Sequence, residues 1–231
     1  MEQEVIIPTT DNSREDKPVF SPALRRVADV ISYLTHPLFL PLLVTVLVVN
    51  AMPEYFVLFK QEGIRYPFDL LYIRVAFTTL FLPLFVVALC KALGFVTSFQ
   101  LRSQKDRIIP YIACTTFYFW TYFAFKRQGA APPFFNAFFL GVFIAIVIGM
   151  VANTYVKISM HTIGWGGVIG FLLMLMLGLN MNISLALMIA FLIAGIVGTA
   201  RLVLGAHTPA EIYTGFIIGI LSQLIAYGIA G

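Results

Sequence analysis

Residues 158–201 read ISMHTIGWGGVIGFLLMLMLGLNMNISLALMIAFLIAGIVGTAR, with no Asp, Glu, Lys or Arg before the closing Arg201. A hydrocarbon core about 30 Å thick is crossed by roughly 20 helical residues, each rising about 1.5 Å. This single uncharged run therefore holds two crossings, turned by the polar hairpin Gly178 to Asn182.

The same ruler, moved outward, gives seven segments at about 30–52, 69–94, 108–125, 133–153, 162–179, 184–204 and 209–229. Gln128-Gly129-Ala130-Ala131-Pro132-Pro133 is a helix-stopping turn between two of them. A transmembrane barrel would need short alternating segments, whereas these runs are continuous and rich in Leu, Ile, Phe and Ala. His36, Pro37 and Pro41 interrupt the first segment, which is expected to be kinked or re-entrant. The fold expected is all-α, a polytopic transmembrane helix bundle of six to seven spans.

Composition supports that reading and excludes others. Of 231 residues, 60% are hydrophobic and 11% charged, against about a quarter charged in a soluble domain. The net charge of +4 comes from cations at the ends of apolar runs, with no basic stripe, so no nucleic-acid partner is expected. Cys90 and Cys114 lie inside apolar segments without metal-ligand spacing and are expected to be free thiols. Residues 1–24 are polar and carry Glu2, Glu4 and Asp11, which predicts a flexible tail rather than a secretory signal. The bundle then occupies 25–231.

An even number of crossings returns the chain to the same face. Arg102, Lys105, Arg107, Lys157, His161, Arg201, His207 and Glu211 can therefore meet at one end of the bundle. Cations gathered at a membrane boundary repel one another unless an anion sits among them, which points to a phosphate-like ligand. Each residue also has a plainer explanation. The 101–107 loop and Lys157 suit lipid head groups, and His161 suits ordinary packing. Thr208-Pro209-Ala210-Glu211 is a helix capping box, in which Glu211 reaches back to the Thr208 amide. The same geometry places His207 within reach of Glu211, as an acidic residue orients an imidazole in a catalytic triad.

These residues resemble the motifs of the type 2 phosphatidic acid phosphatase superfamily: Lys, six residues, Arg-Pro; Pro-Ser-Gly-His; and Ser-Arg, five residues, His, three residues, Asp. Ala200-Arg201-Leu-Val-Leu-Gly-Ala-His207-Thr-Pro-Ala-Glu211 keeps the third motif's spacings, with Ala for Ser and Glu for Asp. Lys157-Ile-Ser159-Met160-His161 is similar to the second, with Met for Gly and no Pro. Arg102-Ser-Gln-Lys105-Asp-Arg107-Ile-Ile-Pro110 is a rearranged first motif. The resemblance covers about residues 100–220.

What it implies is hydrolysis of a lipid phosphomonoester or pyrophosphate through a phosphohistidine, with no metal and no cofactor. His207 would be the nucleophile, Glu211 its orienting acid, and His161 the general acid and base. Arg201, Lys157, Ser159, Arg102, Arg107 and Lys105 would hold the phosphate. The resemblance also implies a bacterial inner membrane as the setting and a lipid phosphate or lipid pyrophosphate as partner. The competing expectation is a transporter or flippase that binds lipid phosphate in the same basic pocket without cutting it. A haem protein ligated by His161 and His207 is a third reading, against which the surrounding cations argue.

Overall fold

The computed structural model describes residues 20–59, 69–95, 108–129 and 131–231. The regular elements among them are helices: α1 Pro22–Leu34, α2 Leu40–Ala51, α3 Pro53–Phe56, α4 Asp69–Val75, α5 Leu82–Ala92, α6 Ile108–Gln128, α7 Pro133–Tyr155, α8 Met160–Gly178, α9 Ser184–Val203 and α10 Pro209–Ala230. Short 3-10 turns flank α2 and α3, and the six residues Ala76–Phe81 form a π-helical stretch joining α4 to α5. No strand occurs among the described residues. Seven stretches are long and apolar enough to cross a membrane, beginning with Pro22–Ala51 and ending with Pro209–Ala230. The chain is a multi-pass helical membrane protein.

The interruption expected in the first segment is real, but the helix before it starts earlier than the hydropathy suggested. Ser21 caps α1 by accepting the Leu24 amide at 3.3 Å, and Pro22 fills the first turn, where a missing N–H costs nothing. The polar tail expected to reach residue 24 therefore gives way to helix at Pro22; residues 1–19 lie outside the described set. Pro37 disfavours helical geometry at His36, which is extended (φ −60°, ψ 133°), and α1 ends at Leu34. From this break α2 runs away toward the opposite end of the bundle. Leu40 and Pro37 lie against Gly164 near the start of α8, and Phe56 meets Phe135 at the start of α7 with ring centroids 5.4 Å apart.

The π-helical stretch follows from proline chemistry. Pro83 has no N–H to give the Thr79 carbonyl, and the Tyr118 hydroxyl of α6 donates to that carbonyl instead, at 3.3 Å. The Leu82 amide reaches back five residues to Phe77. An orphaned backbone group is thus converted into a tie between spans.

The tightest contact in the bundle joins α8 and α10. Small residues let helices approach closely in lipid, where hydrophobicity offers no drive between them. A β-carbon at Gly219 would overlap the Ile163 carbonyl oxygen, and one at Gly166 would lie 2.9 Å from the Phe216 α-carbon. Numbers rise together along the contact, Gly166 with Phe216 and Gly170 with Ile220, so the two helices run parallel. The turns before them, 156–159 and 204–208, therefore share one end of the bundle, as counting crossings requires. Cys90 and Cys114 are both free.

Gly219→Ala is expected to lower the thermal midpoint in detergent, because overpacking of this kind costs about 1–3 kcal/mol. Gly228→Ala serves as control, since its added methyl meets nothing within 4 Å. Equal midpoints for the two variants would contradict the close α8–α10 contact.

Candidate active site

The turn from α9 to α10 is built to present His207. Gly205 adopts φ +62°, a left-handed conformation that side chains disfavour. Its amide bonds the Leu202 carbonyl at 2.9 Å, and the Ala206 amide bonds the Arg201 carbonyl at 3.1 Å. This pair of bonds closes a helix C-terminus and redirects the chain. Thr208 then caps α10: its hydroxyl accepts the Glu211 amide and its own amide donates to Glu211 Oε2, both at 3.3 Å. The same Oε2 accepts from His207 Nδ1 at 2.8 Å. The capping box and the histidine–carboxylate pair are one structure. A carboxylate oxygen accepts, so the His207 proton sits on Nδ1 and the lone pair on Nε2.

The His207 side chain is only 4% exposed, against 22% for Glu211. Burial pushes the His207 pKa below its ordinary 6.5, and the positive charges of Arg201 and Lys157 push the same way. The hydrogen bond and charge of Glu211 oppose the shift without reversing it. The balance favours the uncharged imidazole at neutral pH, with its lone pair on Nε2.

Ser159 precedes α8 and is fully buried. Its carbonyl accepts the Ile163 amide at 3.1 Å and the Thr162 hydroxyl at 3.0 Å. Its own hydroxyl has no hydrogen-bond partner among the described residues. A β-carbon on Gly215 of α10 would lie 3.1 Å from the Ser159 carbonyl, so Ser159 stands beside the first turns of α10. Two parallel helices thus begin at this end of the bundle, and their positive termini favour an anion between them.

The third wall comes from the first span. His161 Nε2 lies 3.0 Å from the Ser32 carbonyl oxygen and Arg201 Nη1 lies 3.3 Å from Ser32 Oγ. His36 meets the His161 ring edge to face, with centroids 5.3 Å apart. The Trp165 indole donates to the Thr35 carbonyl at 3.2 Å, pinning the break against α8.

Of the residues singled out from sequence, His161, Arg201, His207, Glu211, Ser159 and Lys157 are brought to one end of the bundle. Lys157 is exposed in the short turn before Ser159 and acts on His207 through its charge. Arg102, Lys105 and Arg107 lie outside the described residues. Ser32 and His36 were missed as site residues. The signal that finds them is Thr35-His36-Pro37, a helix break that the crossing count places on the motif side. No family model, no curated protein and no solved structure matches this chain.

Titration of His207, followed by NMR of histidine-labelled protein in micelles with His207→Asn for assignment, is expected to have its midpoint below 6.5. Glu211→Gln removes the one neighbour that raises the pKa and is expected to move the midpoint lower still. A midpoint above 6.5 in the unmodified protein would contradict the burial and charge just described.

Proposed function

We propose that the protein is an integral membrane phosphatase that hydrolyses a lipid phosphomonoester or pyrophosphate through a phosphohistidine on His207. The observation that carries this reading is the His207–Glu211 pair, whose buried imidazole is held on Nδ1 by the carboxylate at the start of a helix and feels the positive charge of Arg201. The motif resemblance supports it independently.

In this mechanism His207 Nε2 attacks phosphorus in line with the leaving oxygen, and the P–O bond to the lipid breaks. Positive charge that develops on the imidazole is met by Glu211 through the Nδ1–H bond. Arg201, Lys157, the Ser159 hydroxyl and the first amides of α8 and α10 hold the phosphoryl oxygens as charge redistributes. His161 passes the proton of a phosphate monoanion to the departing oxygen, then takes one from the water that cleaves the phosphorus–nitrogen bond and returns it to the product phosphate, so the cycle closes without net proton change on the protein. Arg102, Lys105 and Arg107 join the phosphate-binding set on the strength of the motif alone.

A lipid leaving group is favoured by the apolar groove of about 440 Å³ between α1 and α9. It is lined by Leu24, Val27 and Ile31 on one side and by Phe191, Ile196 and Ala200 on the other. Ile31 and Ala200 directly precede Ser32 and Arg201, which bond each other, so the groove ends beside the cationic site. The setting proposed with this function is a bacterial inner membrane.

Purified protein is expected to release inorganic phosphate from one or more of a panel of lipid phosphates and pyrophosphates, in the presence of chelator. His207→Ala is expected to abolish release, and Glu211→Gln to reduce kcat by roughly 10³- to 10⁴-fold. The acid limb of kcat/KM is expected below pH 6.5, because His207 stays neutral there. Binding of lipid phosphate that Arg201→Ala abolishes, with no release from any substrate, would overturn the phosphatase reading in favour of a transporter or flippase.

A further inference from the structure

In an unbroken helix the Ser32 carbonyl would accept the amide of His36, four residues on. The break at His36-Pro37 prevents this. The His36 amide turns to the Tyr33 carbonyl at 3.4 Å, and the Ser32 carbonyl is left for His161 Nε2 at 3.0 Å. A carbonyl oxygen has no proton to give, so His161 carries its proton on Nε2 and presents Nδ1 as the unprotonated nitrogen. His36 is fixed in its turn, because its Nδ1 accepts the Leu38 amide at 3.3 Å and caps the 3-10 turn Pro37–Phe39. Held there, its ring packs nearly perpendicular to that of His161, at 84°.

We infer that the break in the first span is a positioning device for the acid–base step: the freed Ser32 carbonyl fixes the His161 tautomer, and His36 fixes the imidazole plane. His161 Nδ1 is thereby assigned as the nitrogen that relays the proton of a phosphate monoanion to the leaving oxygen and later takes one from the attacking water, while the Nε2 proton stays hydrogen-bonded to the Ser32 carbonyl. His36 is a positioning residue, acting through His161. Ser32 has a second part, since its hydroxyl accepts from Arg201 and ties the phosphate-binding cation to the same break. The functional half of this inference rests on the phosphatase reading; the tautomer half does not.

Two readouts separate them. Nitrogen-15 NMR of the histidine rings in the full-length protein is expected to show His161 protonated on Nε2, with His36→Ala mixing the two tautomers and His36→Phe, which keeps the ring contact, retaining one. Kinetically, His36→Ala is expected to lower kcat on a lipid phosphate on the order of 10²-fold, as small misplacements of a reacting group do. KM is expected to stay within about twofold, because that acid–base step belongs to the transition state. In kcat/KM, which reports the steps up to departure of the leaving group and not the later attack of water common to both substrates, the same variant is expected to lose less than about fivefold with p-nitrophenyl phosphate, whose leaving group departs without a proton.

His161 found protonated on Nδ1 would overturn the inference whatever the activity. Equal losses of kcat/KM on both substrates, or failure of His36→Phe to restore the lipid reaction, would reduce His36 to a stability role and overturn it too. If the unmodified protein released no phosphate from either substrate, the phosphatase reading would fall while the NMR still decided the tautomer.

Discussion

The site depends on the parallel approach of α8 and α10 across glycine. Only with Gly219 against the Ile163 carbonyl can the two helix N-termini stand side by side. That juxtaposition puts Ser159 and His161 at the start of one helix next to His207 and Glu211 at the start of the other. It also focuses two positive helix ends on one volume at a boundary where Arg201 and Lys157 already bring cationic charge. Side chains in place of these glycines would separate the elements that the chemistry needs together.

Around that contact, groups left unpaired by ordinary secondary structure are put to use. The amides at the start of α10 are partly met by Thr208 and Glu211, and the same Glu211 oxygen then fixes the His207 tautomer. The carbonyl released where α1 stops is met by His161. Each imidazole therefore has one nitrogen held and one available: Nε2 on His207, Nδ1 on His161. In the proposed mechanism, a nucleophile backed by a carboxylate suits a step that builds positive charge on the ring. An acid–base group backed by a neutral carbonyl keeps its Nε2 proton in place and exchanges only the one on Nδ1.

Much of this was legible in the sequence because lipid imposes simple rules. Long uncharged runs gave the later spans nearly at their observed limits, with 133–153 found as Pro133–Tyr155 and 184–204 as Ser184–Val203. Counting crossings placed the two motif turns on one face, and Thr208-Pro209-Ala210-Glu211 announced the capping box. The first span was less legible. Its proline break was visible, but α1 carries Arg25, Arg26 and Asp29 on exposed positions, and a hydropathy ruler misses such a helix. Nor does hydropathy say which carbonyl a break will release or which side chain from a distant span will take it. That is why the break marks the region of Ser32 and His36 in the sequence while their contacts with His161 and Arg201 emerge only from three-dimensional packing, as does the Tyr118 bond that stabilises the π-helical stretch.

The central claim is a nucleophile with a defined reactive atom. The most direct test is to quench the protein during incubation with a lipid phosphate and locate any phosphoryl group by mass spectrometry and phosphorus NMR. The account predicts a phosphohistidine at His207 bonded through Nε2, because Nδ1 is held by Glu211. Phosphorus on Nδ1, phosphorus on His161, or steady turnover with no phosphoryl group on His207 would contradict it.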